Sequence, residues 1–85
     1  MMRSRSLTDE DIAIAKALMA DGWIQSDVAS LLGCNGGRIA EINTGQRGAE
    51  VTAADLTAPE TVAHIARLHI DWTLRIGRQL KVFVS

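Results

Sequence analysis

Between positions 25 and 47 the chain carries Gln25, Asn35, Arg38, Glu41, Asn43, Thr44, Gln46 and Arg47. Guanidinium, carboxamide and hydroxyl groups hydrogen-bond phosphate oxygens, and the longer ones also read base edges. Arg38 has the fork to reach a guanine edge or a phosphate, and Asn35 suits an adenine edge. Glu41 either accepts from a cytosine amine or repels phosphate and so enforces selectivity. Gln25, Asn43, Thr44, Gln46 and Arg47 are of the types that bind phosphate. All of this is recognition chemistry, which needs side chains held on one surface and makes or breaks no bond.

Catalytic chemistry has no comparable support. The single cysteine, Cys34, has no base nearby in sequence, and its place between two short helices suits a small, half-buried hydrophobe. His64 and His69 do not share the spacing of a helical metal pair, and no Cys, Asp or Glu cluster joins them. No phosphate-cradling glycine loop is present. Asp9, Glu10 and Asp11 suit the positive end of a helix dipole better than a metal. The expectation is a protein that is no enzyme, with no catalytic residue, no metal site and no cofactor.

The elements that would hold these side chains are legible in the apolar residues. Val28, Leu32, Ile39 and Ile42 recur at helical spacing and face a shared core. Ala29 is small enough for a second helix to cross close above it, and Gly33 takes the positive φ that ends the first. Asn35 is placed to cap the second helix, whose period then turns Asn35, Gly36, Gly37, Glu41 and Thr44 outward with Arg38 on the flank. Two readings of Gly36-Gly37 stand side by side. Either both are loop and the helix starts at Arg38, or their bareness lets backbone come close to a ligand. Asn43 to Gly48 reads as a turn-rich exit loop.

The pair Gln25 to Asn43 resembles the helix-turn-helix of phage repressors and small bacterial regulators. The run NGGRIAEINTGQR in particular looks like small helix-turn-helix proteins of bacterial genomes and their mobile elements. The resemblance implies sequence-specific binding to double-stranded DNA and control of transcription, most simply as a repressor. Relatives of the motif often carry a serine or threonine cap where Ile24 stands, so the second helix either starts late at Ser26 or is capped by Gln25.

The flanks complete an all-α architecture: a helix-turn-helix core of three short helices, then a longer C-terminal helix. Residues 1–6 form an N-terminal arm with Arg3 and Arg5, read either as a frayed end or as a minor-groove arm. Residues 7–48 form the helix-turn-helix domain, opened by Thr8 with Asp11 in a capping box and by a Leu7–Ile12 staple. Ile12, Ala15, Leu18 and Met19 give the first helix its inward face, Asp21-Gly22 end it, and Trp23 plugs the core above it. Residues 49–58 are a connector. Residues 59–85 form a dimerisation helix begun by Pro59, expected both to pack across the motif as a fourth helix and to pair with its copy, with Val62, Ile65, His69, Trp72, Ile76 and Leu80 as one stripe and Leu68, Ile70 and Leu74 spilling around it. Its interface residues are taken as Ile65, Leu68, His69, Trp72, Ile76 and Leu80. Glu60, Arg67, Asp71, Arg75 and Arg78 are set on the opposite face, where Arg67–Asp71 and Asp71–Arg75 are spaced as ion pairs. The last residues, LKVFVS, end the helix, form an edge strand or exchange with a neighbour.

Composition sets the frame. A chain of 85 residues makes one small domain that gains from a second copy. One cysteine, no apolar run long enough to span a membrane and no signal peptide after Arg3 and Arg5 suggest a cytoplasmic protein with no membrane partner. The net charge of −1 runs against the basic excess usual in DNA binders. It keeps open a rival: an interaction module, anti-activator or adaptor, that uses the same scaffold to bind a protein partner.

Overall fold

The computed structural model describes residues 7–84, with side chains placed for residues 7–76. The described residues form four helices and no strand: α1 Asp9–Ala20, α2 Gln25–Leu32, α3 Gly36–Thr44 and α4 Pro59–Val84. No helix is long and apolar enough to cross a membrane. The all-α expectation holds, with three short helices and a longer last one. α4 runs to Val84, so LKVFVS up to that residue continues the helix.

α1 begins as its sequence dictates. The Thr8 hydroxyl accepts from the Asp11 amide at 3.1 Å, and the Thr8 amide donates to Asp11 Oδ2 at 3.0 Å. Leu7 is half-buried against the core that also holds Ile12. Ile12, Ala15 and Leu18 point inward as expected, but Ile14, Ala17 and the Asp11 carboxyl are buried too. α1 is therefore covered on more than one side. α2 and α3 pack on one flank, and the connector lies along another. Ala54 donates its amide to Ala13 O at 2.9 Å, while Lys16 Nζ donates to Gly48 O at 2.6 Å and Val51 O at 2.5 Å. Val51, Ala54 and Leu56 add half-buried apolar surface there.

α4 closes the bundle on a face rotated from the one its apolar pattern suggests. Thr61 and Leu68 are buried, and His64 and Ile65 half-buried, a spacing of three, four and seven residues along one side. Val62, in the expected stripe, is 52% exposed. The charged face also differs from expectation. Arg75 turns into the bundle instead of pairing with Asp71, and Arg67 Nη2 lies 3.3 Å from His64 Nδ1. The reason lies on α1: the buried Asp11 carboxylate draws His64 inward, with Nε2 3.0 Å from Oδ1, and that fixes the helix rotation.

Candidate nucleic-acid interface

The α2–α3 pair is set by backbone geometry at its turn. Gly33 sits at φ +71°, ψ 34°, a region that costs other residues strain. Its amide reaches Ser30 O at 3.3 Å, and the Cys34 amide reaches Ala29 O at 3.1 Å, the double bond of a Schellman ending. α1 and α3 end on the same bond pattern, at Gly22 and Gly45. Cys34 is half-buried against the core, as its position predicts. Val28, Ala29, Leu32, Ile39 and Ile42 are all buried, so every inward position of the motif lies where the sequence puts it.

α2 starts at Gln25, with Ile24 as its N-cap and no side-chain bond to the first amides. The structure thus takes neither suggested solution: the helix does not start late at Ser26, and Gln25 lies inside it. Ile24 is 61% exposed, so what stands at the cap is apolar surface.

α3 starts at Gly36, which settles the two glycines as helix and not loop. Asn35 is the N-cap: its Oδ1 accepts from the Arg38 amide at 3.0 Å. That bond engages the carboxamide oxygen, which suits the side chain better to donating to a phosphate than to the paired donor and acceptor of an adenine edge. Asn35, Gly36 and Gly37 are exposed, and nothing lies within 4 Å of where a Cβ at Gly36 would stand.

Arg38 is half-buried, and its Nε is buried with no hydrogen-bond partner among the described residues. It borders an open hollow of about 330 Å³ lined by Asn35, Gly37, Arg38, Glu41 and Arg47. Glu41 does not stand alone there. Arg47 Nε donates to Glu41 Oε1 at 3.3 Å, with both side chains about two-fifths exposed. The amides of Gln46 and Arg47 also donate to Glu41 O, at 2.9 and 3.2 Å. The exit loop thus folds back over α3 and neutralises its one acid. Thr44 spends its hydroxyl on the carbonyls of Ala40 and Glu41, at 3.1 and 3.3 Å, so among the outward residues it is occupied within its own helix. Asn43 and Gln46 are exposed and Gln25 is half-buried.

One surface therefore brings together Asn35, Gly37, Arg38, Glu41 and Arg47. Of the residues assigned to a dimer interface, Leu68 is buried in the chain's own core and Ile65 half-buried against it. His69 and Trp72 are exposed and Ile76 is half-buried, while Leu80 lies outside the residues whose side chains are described. Sequence reasoning missed three long-range polar ties: Lys16 to the connector, His64 to Asp11, and Arg75 to the end of α2. Only Lys16 left a trace, as the one basic group of α1. Among the described residues no group of three His, Cys, Asp or Glu side chains could hold a metal ion. No protein-family model, curated protein or solved structure matches the chain.

Proposed function

We propose that this protein is a sequence-specific DNA-binding regulator of transcription, a repressor in its simplest form, acting as a cytoplasmic homodimer. The observation that carries the reading is the N-terminal half of α3. It is outward, bare at Gly36 and Gly37, flanked by the half-buried Arg38 and held at a fixed angle by a glycine turn over a fully buried inner face. In proteins that read DNA with such a pair, the first residues of the second helix meet the major groove. Two guanidinium groups against one carboxylate leave this face positive, although the whole chain is not. A small footprint per chain calls for two copies, whose recognition helices would be spaced about 34 Å apart.

The test is binding to random duplex DNA and to DNA from upstream of the gene, across a salt series. Affinity should fall steeply with salt and drop in the Arg38→Ala, Arg47→Ala double variant. No binding at low salt, or no loss in that variant, overturns the reading. Light scattering should give a mass of two chains, and one chain in Trp72→Glu.

A second reading is favoured by a separate observation. Trp23, Ile24, Leu31 and Trp72 line an open apolar groove of about 560 Å³ on the side of α2 that faces α4. A helix-turn-helix scaffold that binds a protein would use such a surface, and a chain inert toward DNA but titrating a protein partner through this groove would meet that case.

A further inference from the structure

α2 ends without a basic residue in its last turn, yet a cation sits there. Arg75 reaches across from α4, and its Nη2 donates to Ser30 O at 3.0 Å and to Leu31 O at 3.5 Å. These are carbonyls of the last turn, which have no successor amides to bond within a regular helix. The same guanidinium lies against the turn: a Cβ on Gly33 would come within 2.8 Å of Arg75 Nη1. Arg75 Nε is in turn steadied by Asp71 O at 3.4 Å. The positive charge meets the negative end of the α2 dipole, and the plane of the guanidinium fills the space that a glycine leaves open.

We propose that Arg75 is the positioning residue of the motif: it locks the α2–α3 turn and so sets the angle at which α3 is presented. Gly33 and Arg75 form one device. The glycine supplies the left-handed backbone and the room, and the arginine occupies that room and ties two carbonyls to α4. Without it, the Schellman bonds and the buried packing of Ile39 and Ile42 hold the turn less tightly, and α3 samples a wider range of orientations about Gly33-Cys34. A ligand that needs one orientation is then met by a smaller competent fraction of molecules. The effect on DNA rests on the DNA-binding reading above, whereas the effect on the turn does not.

The experiment compares wild type, Arg75→Met and Arg75→Lys in two measurements. Amide hydrogen exchange without DNA reads the turn directly. Arg75→Met should speed exchange at Gly33, Cys34 and the first turn of α3, while Ile14 and Ala15 in α1 keep wild-type rates. DNA binding across a salt series should show affinity about fivefold weaker with the salt slope unchanged. A lost phosphate contact would instead lower the slope by about 1. Arg75→Lys keeps the charge but not the fork, should fall between the two, and carries the test if Arg75→Met does not fold.

Unchanged exchange at 33–38 overturns the proposal, and so does a reduced salt slope, which would make Arg75 a DNA contact. If wild type itself binds no DNA, the function proposed above fails, and the exchange rates alone decide the role of Arg75.

Discussion

His64 Nε2 lies 3.0 Å from Asp11 Oδ1, across 53 residues of chain, and joins α4 to the first turn of α1. Asp11 thereby serves two elements at once, since the same carboxylate closes the capping box on the Thr8 amide. Glu10 Oε1 stands 3.4 Å from the other ring nitrogen of His64, beside Arg67 Nη2. Replacing His64 by Ala should cost about 1.5–3 kcal/mol, the range for a hydrogen bond to a charged group. Asp11→Ala should cost more, because it also removes the carboxylate half of the capping box, the bond from the Thr8 amide. Urea denaturation of both single variants and the double variant checks this, with the double expected to fall short of the sum.

Lys16 holds the connector. Its ammonium bonds two carbonyls, Gly48 O and Val51 O, more than 30 residues away. Lys16→Met keeps the aliphatic stem over α1 and loses both bonds. The expected result is a stability loss of about 1–3 kcal/mol, from charged hydrogen bonds removed and carbonyls left short of partners. Limited proteolysis should cut within residues 49–58 sooner than in wild type.

Freeing Arg47 should strengthen DNA binding if that reading holds. The Glu41–Arg47 pair is surface-exposed and contributes little to stability, so Glu41→Gln should change the unfolding free energy by less than about 0.5 kcal/mol. The same change releases a guanidinium next to α3. Affinity for duplex DNA should rise and the salt dependence should steepen, by about one unit of slope. Fluorescence anisotropy with labelled duplex gives both numbers.

The turn into α4 carries a pH signature. Asp55 Oδ1 accepts from the Thr57 hydroxyl at 2.6 Å and from the Thr57 amide at 2.9 Å. These bonds, the hydroxyl first, hold the Asp55 carboxyl below its ordinary value of 3.8, against a small opposing effect of burial. A carboxyl with a lowered folded value stabilises the fold above its unfolded value and loses that contribution as pH falls through the folded one. NMR titration should find the Asp55 midpoint below 3.8. Asp55→Asn should flatten the acid side of the stability curve in that window by losing the contribution present at neutral pH, with stability below the window nearly unchanged.

The two glycines of α3 should respond differently to a methyl group. Neither has positive φ, so alanine is accessible to the backbone at both. A Cβ at Gly36 meets nothing within 4 Å, and Gly36→Ala should stabilise by about 0.5–1 kcal/mol through the reduced freedom of the unfolded chain. At Gly37 the Cβ would stand 3.3 Å from Asn35 Oδ1, the atom that caps α3, so the gain should be smaller or absent. Thermal unfolding of the two variants separates them.

These residues also show what the sequence could and could not carry. Caps, glycine endings and the inward faces of α2 and α3 are local, depending on residues within one turn of each other, and Thr8, Gly33 and Asn35 all lie where such reasoning puts them. The rotation of α4 was not legible, because it is decided by a carboxylate 53 residues away that draws His64 inward. Arg75 read as a surface ion-pair partner of Asp71 for a similar reason: its long-range partners are carbonyls of α2, and a backbone acceptor has no letter in the sequence. Ile14 and Ala17 of α1 are buried as well, outside the single stripe that helical spacing marks as inward. In the candidate site, the outward residues were legible by period, whereas the engagement of Glu41 by Arg47 depended on the exit loop turning back.

The empty space at Gly36 bears on how this surface can change over generations. A side chain introduced there displaces nothing, strains no dihedral and leaves the inner face at Ile39 and Ile42 untouched. Under the proposed DNA-binding reading, a single substitution at Gly36 can therefore alter what the helix meets while folding is conserved. On that reading, position 36 is where the surface can change target without first losing the fold.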